Sequence, residues 1–151
     1  MSDFIKESIK RINCLNAEID ALYHHSALKL GMSDSALFVL YSIYEHSGNI
    51  LLSDIYKQSG ISKQTVNSSI RALEKENILY LENVDKKSKI VMLTEKGKEY
   101  SEKTVGILCK AECDAFSCWK KEEISNYIKL FERYRDEFSV RLDNLPAGDK
   151  F

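Results

Sequence analysis

Apolar residues recur at helical spacing over long stretches at both ends of the chain. Their steps alternate between three and four residues, which is the period of one face of an α-helix. At about 1.5 Å per residue, a first helix that ends at Gly31 would be about 40 Å long. The last helix is expected to end at Pro146 and Gly148, since neither residue favours a continuing helix. Such helices expose more apolar surface than a small domain can cover, so we expect them to need a partner. The stripes consist of Ile5, Ile9, Ile12, Leu15, Ile19 and Leu22 in the first stretch and of Ile124, Ile128, Phe131, Tyr134, Phe138, Leu142 and Leu145 in the last.

The middle of the chain predicts two short helices joined by a tight turn. Ser53 and Ser62 are expected to cap them, because a serine hydroxyl accepts a hydrogen bond from a backbone N–H that has no partner inside the helix. Gly60 breaks the chain between the two helices, and Asn77 ends the second, since both residues tolerate the left-handed conformation. Another helix is expected before them, over residues 33–48. The apolar residues of the two short helices are Ile55, Tyr56, Val66, Ile70 and Leu73.

A basic hairpin is expected to follow the second short helix. Residues 79–84 and 89–93 are rich in side chains that favour strands. The intervening residues 85–88 are polar, include two lysines and suit a turn. Thr94 can then cap a fifth helix that runs to about Phe116. The chain therefore predicts four helices, a hairpin and two more helices, in that order.

Positive charge is concentrated in the middle third of the chain. Residues 51–98 contain nine basic and six acidic side chains, a balance of +3, whereas residues 1–50 contain four and six and residues 99–151 contain nine and eleven, a balance of −2 each. Residues 57–71 include three basic side chains and no acidic one. Local positive charge attracts a polyanion, because binding to phosphates releases condensed counterions. A similar charge imbalance also occurs on ordinary solvated surfaces. The local structure must therefore decide whether this positive charge indicates binding to a nucleic acid.

A helix, a turn, a helix and a basic hairpin in this order form a winged helix-turn-helix, which suits double-stranded DNA. An α-helix fits the major groove, where its exposed side chains reach base edges. Arg71 can offer a two-pronged donor to guanine, and Gln64 or Asn67 can match adenine. Residues at the helix start can bind phosphate, and the hairpin lysines can lie along the DNA backbone or enter a minor groove. The predicted DNA-binding residues are Ser62, Lys63, Gln64, Thr65, Asn67, Ser68, Arg71, Lys86, Lys87 and Lys89.

This part of the sequence resembles the DNA-binding core of the MarR family of bacterial transcriptional regulators. The family's wing pattern, D-x-R followed by L-T-x-x-G, is met by Asp85 and by residues 93–97, and residues 62–66 resemble the start of its recognition helix. One position departs from the pattern. Where the family usually has arginine at the wing tip, this chain has Lys87, which keeps the charge but loses the planar two-pronged geometry.

The resemblance implies a mainly α fold with a small β-hairpin wing, in which a winged helix-turn-helix core is flanked by long dimerisation helices. Residues 1–151 would be a single MarR-like chain, with the DNA-binding part at 33–98 and dimerisation helices at 1–30 and 99–145. The implied function is that of a transcriptional regulator. Residues 1–10 lack the apolar stretch of a signal peptide, so we expect the protein to remain in the cytoplasm. It would bind a pseudo-palindromic operator as a homodimer, act as a repressor and be released by a small-molecule effector.

Two alternatives within a regulatory role concern ligand and redox sensing. Family members often bind small aromatic compounds, which implies an effector pocket at Tyr23, Phe38, Tyr41 and Tyr44, although aromatic residues at helical spacing are more often part of the core. Cys14 resembles the reactive cysteine of peroxide-sensing members. Lys10 and Arg11 could lower its pKa slightly, whereas a passive thiol is the alternative.

Other classes of function fit the sequence less well. Cys109 and Cys113 share a helix face and could bind a metal together with a histidine, but no compact Cys/His spacing is present, so neither a metal nor a cofactor is expected. The chain has no phosphate-binding glycine loop and no H-E-x-x-H, so an enzyme is not expected. The longest apolar run, residues 36–41, is too short for a membrane span. A helical adaptor that binds proteins instead of DNA remains open.

Overall fold

A computed structural model describes residues 2–145. These residues form seven helices and three strands, and they confirm a mainly α fold with a small β wing. The chain divides into two compact units, Met1–Cys109 and Lys110–Phe151. Within the described residues, no helix is long and apolar enough to cross a bilayer. In chain order the elements are α1 Asp3–Lys29, α2 Asp34–Glu45, β1 Asn49–Leu51, α3 Leu52–Ser59, α4 Lys63–Lys75, β2 Leu79–Asn83, β3 Lys89–Leu93, α5 Glu95–Lys103, α6 Val105–Ser117 and α7 Lys121–Asp143.

The core of the first unit is built from α2, α3, α4 and a three-stranded antiparallel sheet with strand order β1-β3-β2. Ile50 of β1 pairs with Val91 of β3, and Leu79 of β2 pairs with Leu93. These four side chains are buried, because alternate residues of a strand face the same side of a sheet. The buried helix residues that complete this core include Leu40, Ile43, Ile55, Val66 and Ile70.

Three of the predicted helix caps are confirmed. The side-chain oxygens of Ser33, Ser62 and Thr94 accept hydrogen bonds from the backbone N–H three residues later, at 3.2, 3.1 and 2.9 Å. Gly60 and Asn77 adopt the left-handed conformation, with φ angles of 61° and 58°. Each of these features depends on nearby backbone groups alone, which is why the sequence identifies them.

Strand β1 was missed by the sequence analysis, and the cap assigned to Ser53 was wrong. The strand has only three residues, too few to show a period of two, and it is defined by pairing with residues about forty positions further along the chain. Helix α3 starts directly after the strand, so its N-cap is Leu51 and Ser53 lies inside the helix.

The single helix predicted from Thr94 to Phe116 is two helices. Thr104 separates α5 from α6 with a backbone conformation of φ −123° and ψ −90°. Its hydroxyl donates a hydrogen bond to the carbonyl oxygen of Tyr100 at 2.7 Å. A threonine hydroxyl that bonds back to the preceding turn competes with the helix ladder and bends helices. The same bond is made by Ser8 and Ser26 within the continuous helix α1, so it accompanies the break at Thr104 without accounting for it alone.

The long helices carry exposed apolar stripes. Along α1 the exposed fraction is 79% for Phe4, 42% for Ile12 and 66% for Leu22, and Ala27 is the one buried residue of this helix. In the second unit, none of residues 121–143 is buried. Ile124 is partly buried, and the other stripe residues of α7 are about half exposed, namely Ile128, Phe131, Tyr134, Phe138 and Leu142. Pro146 and Gly148, predicted to end this helix, lie outside the described residues.

Candidate nucleic-acid interface

Helix α4 presents the polar face that the sequence predicts. Its inner side is buried through Val66, Ile70 and Leu73 at steps of four and three residues, so the opposite side must face outward. Ser62 caps the helix, and its first turn contains no acidic residue, which leaves the positive end of the helix dipole available to an anion. The outward-facing predicted residues are Lys63, Gln64, Thr65, Ser68 and Arg71, which are exposed, and Asn67, which is half-buried.

A cleft of about 790 Å³ separates α4 from the wing. Lys63, Asn67 and Arg71 line it from the helix, and Lys87 and Lys89 line it from the hairpin. Four cations thus surround one concave surface, with Glu74 as the acidic member of its lining. The structure therefore brings five of the predicted DNA-binding residues together. The others, Ser62, Gln64, Thr65, Ser68 and Lys86, are exposed outside the residues that line this cleft.

Tyr56 of α3 is a member of the cleft that the sequence analysis treated only as an apolar residue. Its hydroxyl donates a hydrogen bond to Oδ1 of Asn67 at 2.6 Å, and the Lys63 Nζ atom lies 5.5 Å from the centre of its ring. A cation over an aromatic face is attracted by the ring quadrupole. Tyr56 therefore contacts two predicted DNA-binding residues. The signal that could have identified it is a hydroxyl-bearing aromatic residue on the helix preceding the recognition helix.

Asp85 holds the wing turn in place. One of its carboxylate oxygens accepts hydrogen bonds from the backbone N–H groups of Lys87 and Ser88, both at 2.7 Å. These two bonds lower the pKa of Asp85 from its ordinary value, because they stabilise the charged form. The bonds orient the backbone of the lysine-bearing tip, which gives the D-x-R-like position a structural role.

The wing turn is expected to loosen at low pH. Because the pKa of Asp85 is lowered in the folded protein, its stabilising contribution is complete above the ordinary aspartate pKa and is lost as the pH falls through the lowered value. An NMR pH titration should show the amide signals of Lys87 and Ser88 moving together at a pH below the ordinary aspartate pKa, and Asp85→Asn should remove that transition. Amide signals that titrate instead near the ordinary glutamate pKa would contradict the assignment.

A second cavity of the first unit, about 760 Å³, contains most of the predicted effector residues. Tyr23, Phe38 and Tyr41 line it. Tyr44 is not among its lining residues, and its hydroxyl donates a hydrogen bond to Glu102 of α5 at 3.1 Å. That hydrogen bond and burial raise the pKa of Tyr44.

The ionisable groups that line this second cavity are mainly acidic. They are Asp20, Asp34, Glu45 and His24, and neither lysine nor arginine is among the described lining residues. The Nδ1 atom of His24 lies 2.9 Å from a carboxylate oxygen of Asp34. The cavity therefore combines aromatic walls with three carboxylates.

Cys14 lacks the surroundings of a reactive thiol. Its Sγ atom hydrogen-bonds to the Glu18 carboxylate at 3.1 Å, and this bond raises the pKa of the thiol above its ordinary value. Arg11 acts in the opposite direction but with a smaller effect. A raised pKa reduces the thiolate fraction, and the thiolate is the reactive form. Within residues 2–145, no group of three or more His, Cys, Asp or Glu side chains is placed to hold a metal ion.

Comparisons with known proteins agree with this geometry. A model of the MarR family matches residues 30–88, which contain α2, α3, α4 and the wing turn. The chain is similar to AbsC, a MarR family transcriptional regulator from Streptomyces coelicolor, with a TM-score of 0.74, 17% identity and coverage of 93% of this chain and 97% of that chain. No curated protein sequence matches this chain.

Two further structures of the same fold contain ligands. The S. aureus MepR–DNA complex has a TM-score of 0.64 and 18% identity, and the match covers 85% of this chain and 96% of MepR. The organohalide-sensing regulator RdhR-CbdbA1625 in its 2,4-dichlorophenol-bound form has a TM-score of 0.62 and 13% identity, and the match covers 91% of this chain and 82% of that one. At these identities the likeness concerns the fold.

Proposed function

The chain carries the winged-helix domain of the MarR family of transcriptional regulators, and on that premise we propose that it binds a pseudo-palindromic operator as a homodimer and represses transcription until an effector binds. Regulators of this family are non-enzymatic DNA-binding proteins. The observation that carries the proposal is the cleft between α4 and the wing, where Lys63, Arg71, Lys87 and Lys89 converge.

The cleft has the features that duplex DNA requires. Outward-facing lysines neutralise phosphates and release counterions, which provides affinity without sequence preference. Arginine and asparagine on the same helix face can contact base edges in the major groove, which provides sequence preference. Arg71 is exposed and Asn67 half-buried on α4. A structure of the same fold in complex with DNA supports this assignment.

The proposed homodimer is supported by the exposed apolar stripes of the long helices. Burying apolar surface is favourable, and large exposed apolar patches mark association surfaces. Phe4, Ile12 and Leu22 of α1 and Phe131 and Phe138 of α7 are all more than 40% exposed. A two-fold dimer would present two α4 helices to half-sites about 34 Å apart.

Substitution in the α1 stripe is expected to weaken the dimer. Ile12→Glu would place a charge in the proposed apolar interface, and burying an unpaired charge is costly, so sedimentation should show mainly monomer at micromolar concentration. Asn13→Glu adds the same charge beside the stripe and should leave the dimer intact. If both variants sediment as dimers, the apolar stripe of α1 is not part of the dimer interface.

The proposed effector is a small aromatic compound that binds in the second cavity. Its aromatic residues provide apolar contact area, and a related fold binds 2,4-dichlorophenol. Effector binding would favour a dimer in which the separation of the two α4 helices no longer fits both half-sites, and so would release the operator. A shift of a few ångströms is sufficient, because both helices must engage at once.

The charge of the second cavity predicts which aromatic compounds bind. Asp20, Asp34 and Glu45 disfavour a nearby anion, so benzylamine should bind more tightly than benzoate, by about 3- to 10-fold given the exposure of the carboxylates. NMR titration of the purified protein measures both affinities. Phe38→Ala should lower the affinity for both ligands, and Glu45→Gln should reduce the ratio of the benzylamine affinity to the benzoate affinity. Tighter binding of benzoate would contradict the prediction.

The proposed function is tested by selecting duplexes from a random DNA pool with the full-length protein. We expect the enriched sequences to contain two inverted half-sites about one helical turn apart, and the affinity to fall steeply with salt because several phosphates are contacted. Fluorescence anisotropy between 50 and 200 mM salt measures that slope. Binding that is absent at every salt concentration would favour a protein-binding adaptor instead.

A further inference from the structure

The hydrogen bond from Tyr56 to Asn67 determines which way the asparagine amide faces. An asparagine amide is planar and carries an acceptor oxygen and an NH2 donor group that point away from its carbonyl carbon in different directions. Because the Tyr56 hydroxyl donates to Oδ1 at 2.6 Å, the oxygen is directed toward α3 and the NH2 group toward the other side. Both side chains are half-buried in the cleft, where partial exclusion of water strengthens such a bond.

We propose that Tyr56 is a positioning residue that makes Asn67 a hydrogen-bond donor to DNA, so that α4 selects a keto base, guanine or thymine, at the position that Asn67 contacts. This inference rests on the proposed DNA binding. Asparagine recognises adenine by donating to N7 and accepting from N6, and therefore needs both its oxygen and its nitrogen. With Oδ1 directed toward Tyr56 on α3, the NH2 group is the part of the amide that faces away from α3. Guanine offers this donor two adjacent acceptors, O6 and N7, and thymine offers O4, whereas adenine offers N7 beside an N6 amino group that repels a second donor.

Lys63 contacts the same tyrosine, and in the proposed complex it binds a DNA phosphate and does not contribute to base selection. Its Nζ atom lies 5.5 Å from the centre of the Tyr56 ring, a cation–π distance. This attraction depends on the ring and not on the hydroxyl. Tyr56→Phe therefore removes the bond to Asn67 and retains the ring under Lys63, which separates base selection from phosphate contact.

The position that Asn67 contacts is located first. All single-base changes of the selected operator are measured with the wild-type protein and with Asn67→Ala, each as the full chain. We expect base preference to disappear in Asn67→Ala at one position of each half-site. At that position the wild-type protein should bind guanine or thymine about tenfold more tightly than adenine, the discrimination typical of a good base contact.

Tyr56→Phe then tests the positioning role. The freed amide can turn and pair with adenine through both atoms, so we expect the roughly tenfold preference for the keto base to fall to about twofold or to reverse, with preferences at all other positions unchanged. Tyr80→Phe is the matched control, because Tyr80 lies on β2 outside the residues that line the cleft. Thermal unfolding of each variant verifies that it is folded.

Asn67→Asp provides a second, independent variant. The carboxylate still accepts from Tyr56 but has no donor, so the preference should move from a keto base to a base with an amino donor, cytosine through N4 or adenine through N6. Three results would overturn the inference while leaving DNA binding in place. The wild-type protein could prefer adenine at this position, Asn67→Ala could leave base preference unchanged at every position, or Tyr56→Phe could lower the affinity for all four bases equally. If the wild-type protein does not bind duplex DNA, the proposed function itself is contradicted, and this inference is contradicted with it.

Discussion

Replacing Lys63 and Arg71 together by alanine is expected to lower operator affinity by about 100-fold, because a bidentate arginine–guanine contact contributes about 1–3 kcal/mol and a lysine–phosphate contact adds to it. Both side chains line the cleft between α4 and the wing. The slope of log affinity against log salt should also decrease by about one to two units. Fluorescence anisotropy over a range of salt concentrations measures both effects.

The control for this variant removes the same charges elsewhere. Lys110 and Arg133 are exposed on α6 and α7, outside the cleft, so their double alanine variant should change affinity by less than about threefold at physiological salt. Equal losses in the two variants would show that net charge alone determines binding. That result would contradict the assignment of α4 as the recognition helix.

Gly97→Ala is expected to lower the stability of the winged-helix unit strongly. A Cβ atom built on Gly97 would collide with the carbonyl oxygen of Ile78, and that oxygen already accepts a hydrogen bond from the Thr94 N–H at 3.0 Å. The clash is between two backbone segments, so no change of rotamer relieves it. We expect a loss of about 3 kcal/mol or more in the free energy of unfolding, and a decrease in Tm of roughly 6–12 °C.

Gly106→Ala is the matched control for this prediction. The nearest atoms to its added Cβ belong to side chains: the Tyr44 hydroxyl at 3.0 Å, the Tyr44 ring carbon Cζ at 3.2 Å and a Glu102 carboxylate oxygen at 3.2 Å. Side chains can shift by a few tenths of an ångström more easily than backbone. Alanine also favours a helix over glycine by up to about 1 kcal/mol. The free energy of unfolding should therefore change by less than about 1 kcal/mol, and a Gly97→Ala variant as stable as this control would contradict the packing at Ile78.

Much of the helix-turn-helix is specified by short-range chemistry, so the sequence analysis predicted it well. Ser62 and Thr94 accept from N–H groups three residues away, and Asn77 adopts a left-handed conformation at the end of α4. The outer face of α4 follows from the spacing of Val66 and Ile70, which are buried. None of these features needs a distant part of the chain.

The features that the sequence analysis missed are ones that the spacing of apolar residues does not show. Strand β1 forms because Ile50 meets Val91 in the sheet. The fifth helix breaks at Thr104, whose hydroxyl bonds to the preceding turn. Tyr44, predicted to belong to the effector pocket, lies outside the residues that line the second cavity, and its hydroxyl donates to Glu102, 58 residues away. Spacing along one helix does not show which neighbour a tyrosine hydroxyl will find.

The amino-acid order alone determined the helix boundaries near Ser33, Ser62 and Asn77 and the charged outer face of α4, because capping and periodicity act over three or four residues. Only the tertiary structure placed Tyr56 against Asn67 and brought the wing lysines to the same cleft. A side-chain hydrogen bond between two helices requires both to be packed on a common core, and that packing is a property of the whole folded unit.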